Sequence, residues 1–391
     1  MDKIRAAVIG IGNIGTAHSN AISLGEVPGM ELIVLCDCDE ERLEAAGARF
    51  PGRRLCQDAR EVFCDPEVDA VIIATPHPFH AELAMQALEH GKHVLVEKPI
   101  DIRISKARAL CEVAKRSDRV FAIMLNQRTD PIFRKAREIV RSGQLGALKR
   151  SIWIITNWYR TQHYYDSGTW RATWAGEGGG VLLNQAPHNL DLWQWIVGMP
   201  TSVRGFCEIA KYHHIEVEDE ATIMTRYENG ATGLFITTTG EYPGTNRLEI
   251  SGECGKLVIE NGTLTHWRLS ENERNIREHS DRNFANIPYE IETFKPETGG
   301  DGHTGILRNF TDAILHGSKL ISPGEDGCNE LMLSNAAYLS QWEGNREISL
   351  ATDLDQFDAL LDEKVQSSRG IKEAKTAIPS GQYSERWQVK W

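Results

Sequence analysis

Apolar and polar positions follow two different patterns along the chain, one before and one after residue 126. In the first part, short apolar runs alternate with helix-like stretches, which is typical of a parallel sheet covered by helices. Nearly continuous runs of Val, Ile, Leu and Ala predict strands buried on both faces over residues 6–9, 32–36, 70–74, 94–96 and 120–124. Helical spacing of apolar residues predicts helices over residues 81–89 and 105–117.

After Asn126 the pattern predicts a second domain of α+β class with a large, mostly antiparallel sheet. Helices are expected over residues 131–142, 304–315 and 330–340. Partly alternating segments separated by turn signals predict strands over residues 151–157, 203–210, 221–227, 231–239, 248–251 and 256–260. The charged segment 270–298 shows neither period and is expected to be a long loop. The polar tail after residue 366 is expected to be an extended arm, which Trp387 and Trp391 dock onto the protein.

Composition and charge narrow the class of protein. The 391 residues include 43 basic and 55 acidic side chains, a net charge of −12, and nucleic acid is a poor partner because polyphosphate binding needs a basic face. No apolar run approaches the roughly 20 residues that cross a bilayer, and the polar residues after Met1 do not form a signal peptide. Eight cysteines without a CxxC pair do not make a disulfide framework. We therefore expect a cytoplasmic enzyme without a membrane partner.

A glycine motif directly after the first predicted strand indicates a dinucleotide site. Gly10-Ile11-Gly12-Asn13-Ile14-Gly15 opens a helical stretch, and its glycines serve the tight turn, the approach of the pyrophosphate and the packing of helix on strand. Asp37 ends the second strand, where a carboxylate accepts hydrogen bonds from the adenosine ribose and repels a 2′-phosphate. The motif therefore predicts NAD rather than NADP, with contacts from Gly10, Gly12, Asn13, Ile14, Gly15 and Asp37.

Further motifs resemble the Gfo/Idh/MocA family of sugar and polyol oxidoreductases. They are Ala74-Thr75-Pro76 followed by His80, the strand end Glu97-Lys98-Pro99, and Gly178-Gly179-Gly180 leading to Asn184 and His188. Together with the glycine motif, the resemblance covers residues 3–345. It implies a Rossmann domain over residues 1–126 and a substrate-binding domain over 127–345, followed by the arm over 346–391. The open sheet of the second domain commonly makes the oligomer contact in the family, so we expect a homo-oligomer.

Lys98 and His188 are the candidate catalytic residues. Lys98 follows a parallel strand at the sheet edge where such folds bind ligands, and its ammonium can polarise a hydroxyl and stabilise alkoxide charge. In the family, the histidine corresponding to His188 is the general base, and Pro187 suits the first turn of the helix that carries it. Many members have Asp where this chain has Asn184, which can orient a substrate hydroxyl but cannot hold an imidazolium by charge. Asp191, one turn beyond His188, is an alternative carboxylate.

The resemblance implies further contacts around the nicotinamide and the substrate. Thr75, Pro76 and His80 resemble positions on the nicotinamide side, where Glu97, Lys98 and Gln127 are also expected to contact the cofactor; His77 is an extra histidine without an assigned role. Arg128 follows the last strand of the first domain and is expected to reach the substrate. His303 precedes a predicted helix, and in similar family sequences a histidine here faces the active site.

An aromatic segment predicts sugar recognition. Four of the ten tryptophans and three of the nine tyrosines lie between residues 153 and 174, interleaved with arginines and other polar residues. Aromatic faces stack on the C–H faces of pyranose rings while polar neighbours bind hydroxyls. Trp153 lies on a predicted strand and is expected to pack in the core. The expected substrate contacts from the rest of the segment are Trp158, Tyr159, Arg160, Trp170 and Trp174.

One cluster of metal-ligand types is not assigned a metal. Alternate residues of a strand face opposite sides, so the run of His213, His214, Glu216, Glu218, Asp219 and Glu220 is expected to be a solvated edge or turn. No metal is predicted elsewhere.

The sequence therefore predicts an NAD-dependent dehydrogenase acting on a secondary hydroxyl of a pyranoside or cyclic polyol. Space beside the aromatic segment for an aglycone or second sugar favours the 3-hydroxyl of a glucoside. The alternatives are an inositol dehydrogenase, an NAD-cycling glycoside hydrolase and a non-catalytic NAD-binding regulator, and intact Lys98 and His188 argue against the last.

Overall fold

The N-terminal part of the chain folds around a parallel sheet. A computed structural model describes residues 3–168 and 170–368. Six strands pair in the order β3-β2-β1-β4-β5-β6, and each pair is parallel, which confirms the predicted Rossmann fold. The strands are β1 (Ile4–Ile9), β2 (Met30–Cys36), β3 (Arg54–Cys56), β4 (Ala70–Ile73), β5 (His93–Val96) and β6 (Phe121–Ile123). The helices are α1 (Asn13–Ser23), α2 (Glu40–Arg49), α3 (Ala59–Cys64), α4 (His80–Glu89) and α5 (Ile104–Arg116).

Whether a strand could be predicted from the sequence depended on how far its residues are buried. Every residue of β4 and β6 is buried, so both appear as continuous apolar runs. β3 has three residues, of which Arg54 and Leu55 are exposed, and it was not predicted. An edge strand of this kind leaves no apolar run in the sequence.

The second part of the chain forms a nine-stranded sheet in the order β14-β13-β12-β11-β7-β10-β9-β8-β15. All of its pairs are antiparallel except β7 with β10, which confirms the predicted mostly antiparallel sheet. Its strands are β7 (Leu148–Ile155), β8 (Ser202–Ile209), β9 (Glu218–Arg226), β10 (Thr232–Thr238), β11 (Asn246–Gly252), β12 (Gly255–Glu260), β13 (Thr263–Leu269), β14 (Tyr289–Phe294) and β15 (Ile348–Ser349). The helices are α6 (Pro131–Arg141), α7 (Gln162–Asp166), α8 (Trp174–Glu177), α9 (Val181–Asn184), α10 (Pro187–Val197), α11 (Glu273–His279), α12 (Gly302–His316), α13 (Gly327–Trp342) and α14 (Phe357–Ser367).

The prediction of a long loop over residues 270–298 is wrong. The segment contains α11 and the edge strand β14, which pairs with β13 along its whole length. Five of the six residues of β14 are exposed, and no residue of α11 is buried. Without a buried face there is no hydrophobic period to read, although backbone pairing still forms the strand.

The C-terminal elements pack on the rest of the protein. β15 pairs with β8, and α14 buries Phe357, whose ring stacks on Trp342 with centroids 5.3 Å apart. Residues 346–368 of the expected arm are therefore folded; residues 369–391, including Trp387 and Trp391, lie outside the described part. None of the helices within residues 3–168 and 170–368 combines the length and apolarity that a bilayer crossing requires.

α12 returns from the second part of the chain to the Rossmann domain. It buries Ile306 and Phe310 in the same cluster as Ile4 and Val8 of β1. Arg308 on its exposed side donates to the carbonyl of Glu26 at 2.7 Å. This packing places the N-terminus of α12, with His303, beside the carboxyl ends of the parallel strands.

Candidate active site

The glycine turn after β1 has the geometry of a dinucleotide-binding loop. Gly10 has φ +89°, and a Cβ there would lie 2.6 Å from the carbonyl oxygen of Ala74. A Cβ at Gly15 would lie 1.9 Å from the carbonyl oxygen of Gly10, whereas one at Gly12 would meet nothing within 4 Å. Helix α1 begins at Asn13 without a side-chain cap, so its first N–H groups remain available to phosphate oxygens.

Asp37 is anchored at the end of β2 beside this turn. Its carboxylate is buried and accepts hydrogen bonds from the backbone N–H of Ile11 at 2.7 Å and of Asp39 at 3.0 Å. Further along the same sheet edge, Thr75 Oγ1 and Gln127 Oε1 are buried without a hydrogen-bond partner among the described residues. Buried polar atoms normally have partners, so these atoms, the open face at Gly12 and the Asp37 carboxylate fit a bound dinucleotide.

His80 connects the ends of two strands. Its Nδ1 lies 2.7 Å from the carbonyl oxygen of Pro99 and its Nε2 2.7 Å from that of Thr75, and burial lowers the pKa of the imidazole. Both ring nitrogens are therefore occupied by backbone. His80 holds the loops that follow β4 and β5, including Pro76, in place. The Lys98–Pro99 peptide bond is cis.

Lys98 and Glu97 follow β5 and point to different partners. Lys98 Nζ donates to the backbone carbonyl of Asn184 at 2.9 Å, and burial lowers the pKa of its ammonium, an effect that nearby carboxylates oppose. Glu97 Oε1 lies 2.8 Å from Nε2 of His18 on α1. Burial by itself would raise the pKa of Glu97, but the hydrogen bond and charge of His18 lower it to about 2. Sequence reasoning did not identify His18. The signal available in the sequence was its position one helical turn after the glycine motif.

The turn at residues 178–180 can be built only from glycine. A Cβ at Gly179 would lie 2.2 Å from the Tyr338 hydroxyl, and one at Gly180 would lie 1.9 Å from the carbonyl oxygen of Glu218. The Glu218 carboxylate accepts hydrogen bonds from the N–H groups of Gly180 and Leu182, both at 2.9 Å, and from Tyr338 at 2.7 Å. This buried carboxylate therefore fixes the turn that carries Asn184 toward Lys98.

His188 lies at the start of α10 in a buried, unpaired state. Neither ring nitrogen has a hydrogen-bond partner among the described residues. Burial, reinforced by the positive charge of Lys98, lowers the pKa of the imidazole well below 6.5. The ring is therefore neutral at physiological pH and can accept a proton from a hydroxyl group placed beside it.

Asn184 contacts a carboxylate that sequence reasoning missed. Its Nδ2 donates to Oε1 of Glu177 and lies 3.4 Å from the Tyr164 hydroxyl. Glu177 is fully buried at the end of α8 and also accepts from the N–H of Ala172 at 2.7 Å, while burial raises its pKa. The signal available in the sequence was a glutamate directly before the glycine triplet.

Arg128 and Asp191 form a buried ion pair with each other. From the sequence, Arg128 was expected to reach the substrate, and Asp191 was an alternative carboxylate for His188. The guanidinium donates Nε and a terminal nitrogen to the two carboxylate oxygens of Asp191 at 2.8 and 2.6 Å, and it also contacts Asp326. Arg128 and Asp191 are each 1% exposed. This geometry does not support a substrate contact for Arg128, and it directs Asp191 to Arg128 rather than to His188.

The aromatic segment is divided between the site and the core. Trp170 packs edge-on against His77 at 5.6 Å, and Arg171 donates to the Tyr164 hydroxyl at 2.7 Å, so this part lines the Asn184 region. Trp174 is buried between Tyr338 and Trp342, and this position does not support the expected substrate contact. Trp153 is also buried, which confirms its predicted packing role.

The outer part of the aromatic segment lies at the surface. Tyr159 is 46% exposed and meets the ring of Tyr242, which is 80% exposed, at 5.7 Å. Trp158 is buried, and Arg160 stacks over both its ring and that of Tyr164. The segment therefore leads from the buried site to an exposed aromatic pair.

His303 is half-buried and lies beside the buried His18 near Glu97. Its ring centroid is 5.7 Å from that of His18, and its Nδ1 lies 3.3 Å from Nδ2 of Asn126. Burial lowers the pKa of His303 to about 4. The structure thus brings His303 to the strand-end cluster of Glu97 and Lys98.

The segment 213–220 was expected to be a solvated edge or turn, and this is wrong for His213, Glu218 and Asp219, which are buried. Glu218 and Asp219 are fully buried, and Asp219 accepts hydrogen bonds from the backbone of residues 211–213 and from the ring of His213. These carboxylates shape the loops beside the sheet. Within the described residues, no group of three or more His, Cys, Asp or Glu side chains is arranged to hold a metal ion.

Comparison with known proteins agrees with this geometry. Residues 4–125 match the family described as "Oxidoreductase family, NAD-binding Rossmann fold", and residues 133–258 match the "GFO/IDH/MocA C-terminal domain". The chain is 26% identical over 355 residues to the myo-inositol 2-dehydrogenase of Thermotoga maritima, covering 89% of this chain and 98% of that protein. It is 26% identical over 290 residues to the levoglucosan dehydrogenase of Pseudarthrobacter phenanthrenivorans, covering 66% and 74% of the two proteins.

A solved structure gives the same result. The WlbA dehydrogenase of Bordetella pertussis, in complex with NADH and UDP-GlcNAcA, aligns with a TM-score of 0.74 at 26% identity, covering 89% of this chain and 98% of that chain. The two family matches together span most of the chain, with the whole parallel sheet and strands β7 to β11 of the second sheet. The protein is therefore a member of the Gfo/Idh/MocA oxidoreductase family, with an NAD-binding Rossmann domain.

Proposed function

We propose that the protein oxidises a secondary hydroxyl of a pyranoside or cyclic polyol with NAD⁺. The observation that carries this proposal is the pairing of a neutral, unpartnered His188 with a half-buried Lys98 ammonium at the carboxyl ends of the parallel strands. One group can remove a proton from a hydroxyl, and the other can stabilise the negative charge that develops on its oxygen.

The reaction follows from these two side chains. NAD⁺, when bound, supplies the hydride acceptor. His188 takes the hydroxyl proton, Lys98 holds the developing alkoxide, and the carbon loses its hydride to give a ketone and NADH. The half-buried surroundings of Lys98 strengthen its interaction with the alkoxide, because water screens it less there than at the surface. Asn184 holds a neighbouring hydroxyl and so sets the position of the ring.

Glucosides oxidised at the 3-hydroxyl are the substrates that we favour. The exposed Tyr159–Tyr242 pair beside the site offers a stacking surface for an aglycone or a second sugar. Inositol is the main alternative and has equal support, since a relative that matches nearly this whole chain is named a myo-inositol 2-dehydrogenase. Both substrate types present adjacent secondary hydroxyls on a six-membered ring.

We also propose that the open face of the nine-stranded sheet forms a homo-oligomer interface. Two apolar rows cross its central strands in register. Their exposed or half-buried members are Ile154, Ile236 and Phe206 in one row, and Ile152, Leu234 and Met224 in the other. Thr222 lies between Ile236 and Phe206, and Arg204 follows Met224. A largely apolar exposed face of this kind is typical of a protein–protein contact.

The test is NADH formation by the purified protein with NAD⁺ and one of four substrates: glucose, methyl glucoside, an aryl glucoside or myo-inositol. We expect NADH with the glucosides, and NMR of the product should place the ketone at C3. NADH with myo-inositol alone would establish the inositol alternative. Free aglycone from the aryl glucoside without net NADH would instead indicate the NAD-cycling hydrolase, and NAD binding without any turnover would indicate a regulator.

A further inference from the structure

The side-chain amide of Asn184 is held in one orientation by a buried carboxylate. Its Nδ2 lies against Oε1 of Glu177 and 3.4 Å from the hydroxyl of Tyr164. An ionised carboxylate only accepts hydrogen bonds, so the nitrogen of the amide must face Glu177. The oxygen, Oδ1, then faces away from Glu177 and is the group that this partly exposed side chain presents to the site.

Glu177 is itself fixed from several sides. Its other oxygen, Oε2, accepts from the N–H of Ala172 at 2.7 Å, and its backbone carbonyl lies 3.4 Å from Nδ1 of His77. Two cations, Arg171 and Lys98, favour its charged form, while burial opposes it. The carboxylate is therefore held by its neighbours and cannot turn away from Asn184 without losing these contacts.

The contact with Glu177 gives a physical reason for an asparagine, rather than an aspartate, at position 184. Where many family members have an aspartate, this chain has an amide, and it places a carboxylate directly behind the amide. An aspartate at 184 would put two carboxylates in contact inside the protein, and one of them would have to take up a proton. A buried glutamate at 177 and an aspartate at 184 are thus incompatible as two charged groups.

We infer that Glu177 is a positioning residue, which orients the amide of Asn184 so that Oδ1 accepts a hydrogen bond from a second substrate hydroxyl next to the one that is oxidised. The inference rests on the proposed function for the identity of that hydroxyl. It names the substrate class more closely: the ring carries a free hydroxyl on a carbon adjacent to the reacting one. A substrate without that hydroxyl leaves Oδ1 unpaired.

Exchanging the two chemical groups tests the inference. Glu177→Gln and Asn184→Asp each disturb the pair, whereas the double variant E177Q/N184D restores one amide and one carboxylate at the same contact. We expect each single variant to lose ~10- to 100-fold in kcat/KM on the cognate polyol, and the double variant to recover most of that loss. A kcat/KM of the double variant no higher than that of N184D alone would overturn the inference.

Asp101→Asn supplies the matched control. Asp101 is fully buried and accepts hydrogen bonds from the N–H groups of Ile102 and Arg103, which an asparagine oxygen can also accept. The D101N substitution neutralises a buried carboxylate that lies away from Asn184. The kcat/KM of N184D/D101N should therefore stay as low as that of N184D. Equal recovery with D101N would show that removing any buried charge suffices, and would refute the specific role of Glu177.

Two readouts separate positioning from mere structural support. In N184D, kcat/KM should show a fall with rising pH in addition to the alkaline limb of Lys98, because the two carboxylates can share a proton only at lower pH. The wild type and the double variant should show the limb of Lys98 alone. With a deoxy analogue that lacks the adjacent hydroxyl, E177Q and wild type should differ less than 3-fold. An unchanged pH profile in N184D, or an equal loss on both substrates, would refute positioning.

Thermal unfolding without substrate keeps this test separate from the proposed function. Because Glu330 by itself lowers stability over this range, the melting temperature of N184D should drop more between pH 6 and pH 8 than that of the wild type, and E177Q should remove the excess. If the wild type reduced NAD⁺ with none of the polyols, the proposed function would fail while this measurement still tested the contact. If the melting temperature of N184D dropped no more between pH 6 and pH 8 than that of the wild type, the contact between charged groups would be refuted.

Discussion

The ammonium of Lys98 lies 2.9 Å from the backbone carbonyl oxygen of Asn184, so a residue of the Rossmann domain is held by a residue of the second domain. The carbonyl belongs to the short helix α9, which Glu218 fixes through the N–H groups of Gly180 and Leu182. The position of the proposed catalytic cation therefore depends on the glycine turn of the other domain. This link explains why the Glu-Lys-Pro and Gly-Gly-Gly motifs occur together.

Replacing Lys98 with Ala should abolish turnover and leave NAD binding nearly intact. The variant removes the cation that stabilises the alkoxide, and we expect kcat to fall by roughly 10³-fold or more. NADH formation measures the loss, and fluorescence titration measures cofactor affinity. Lys98→Arg is the control, since it keeps the charge but not the geometry. Turnover in K98A close to that of the wild type would contradict the assigned role.

The pH dependence of kcat/KM should show a plateau bounded by His188 and Lys98. Because the pKa of His188 lies well below 6.5, the acid limb should fall below pH 6.5; because the pKa of Lys98 is lowered from 10.5, the alkaline limb should fall before that value. His188→Gln should lower kcat/KM by ~10²- to 10⁴-fold, and its pH profile should lack the acid limb. His90→Gln, at an exposed position, should retain both.

Glu330 should make the protein less stable at alkaline pH. Its carboxyl on α13 is fully buried, neither oxygen has a hydrogen-bond partner among the described residues, and burial raises its pKa to about 8. Because the folded state holds this proton to a higher pH than the unfolded state, stability falls as pH rises from about 4.5 to about 8. Glu330→Gln should remove that fall, a gain on the order of a few kcal/mol at pH 8.

Thermal or urea unfolding at pH 5 and pH 8 measures the effect of Glu330. Glu44→Gln on the exposed side of α2 is the control, because burial does not act there, and it should leave the pH dependence unchanged. A pH dependence in E330Q equal to that of the wild type would contradict the prediction.

Met224→Lys should dissociate the proposed oligomer. Met224 is 50% exposed on the open face of the sheet, and a lysine there would replace the last apolar member of its row, next to Arg204, with a second positive charge. Light scattering after gel filtration should show a smaller assembly. Leu24→Lys, at a 74% exposed leucine of the Rossmann domain, should leave the mass unchanged. A monomeric wild type would refute the interface.

Much of the fold could be predicted because its signals are local. The buried strands of the parallel sheet appear as apolar runs, and the glycine motif encodes contacts between neighbouring elements, such as the 1.9 Å approach at Gly15. Elements without a buried face gave no signal. β3, α11 and β14 were missed for this reason, since a hydrophobic period exists only where one side of an element is covered.

The sequence predicted the motif residues of the site, but it did not predict the side chains that hold them in place. Lys98, Asn184 and His188 stand in recognisable motifs. The partner of Glu97 is His18, 79 residues away, and the support of Gly180 is Glu218, 38 residues away. Arg128 resembled a substrate residue because its position after β6 was known, while Asp191, its partner 63 residues later, was not.

The sequence by itself determined the family, the two sheets and the cofactor loop, because these depend on residue types at fixed local spacing. Only the tertiary structure decided how charge is distributed around the site. Burial makes the imidazole of His188 neutral, raises the pKa of Glu330 and places the Glu177 carboxylate behind an asparagine. Such effects arise from the removal of water and the approach of distant side chains, and a linear sequence contains neither.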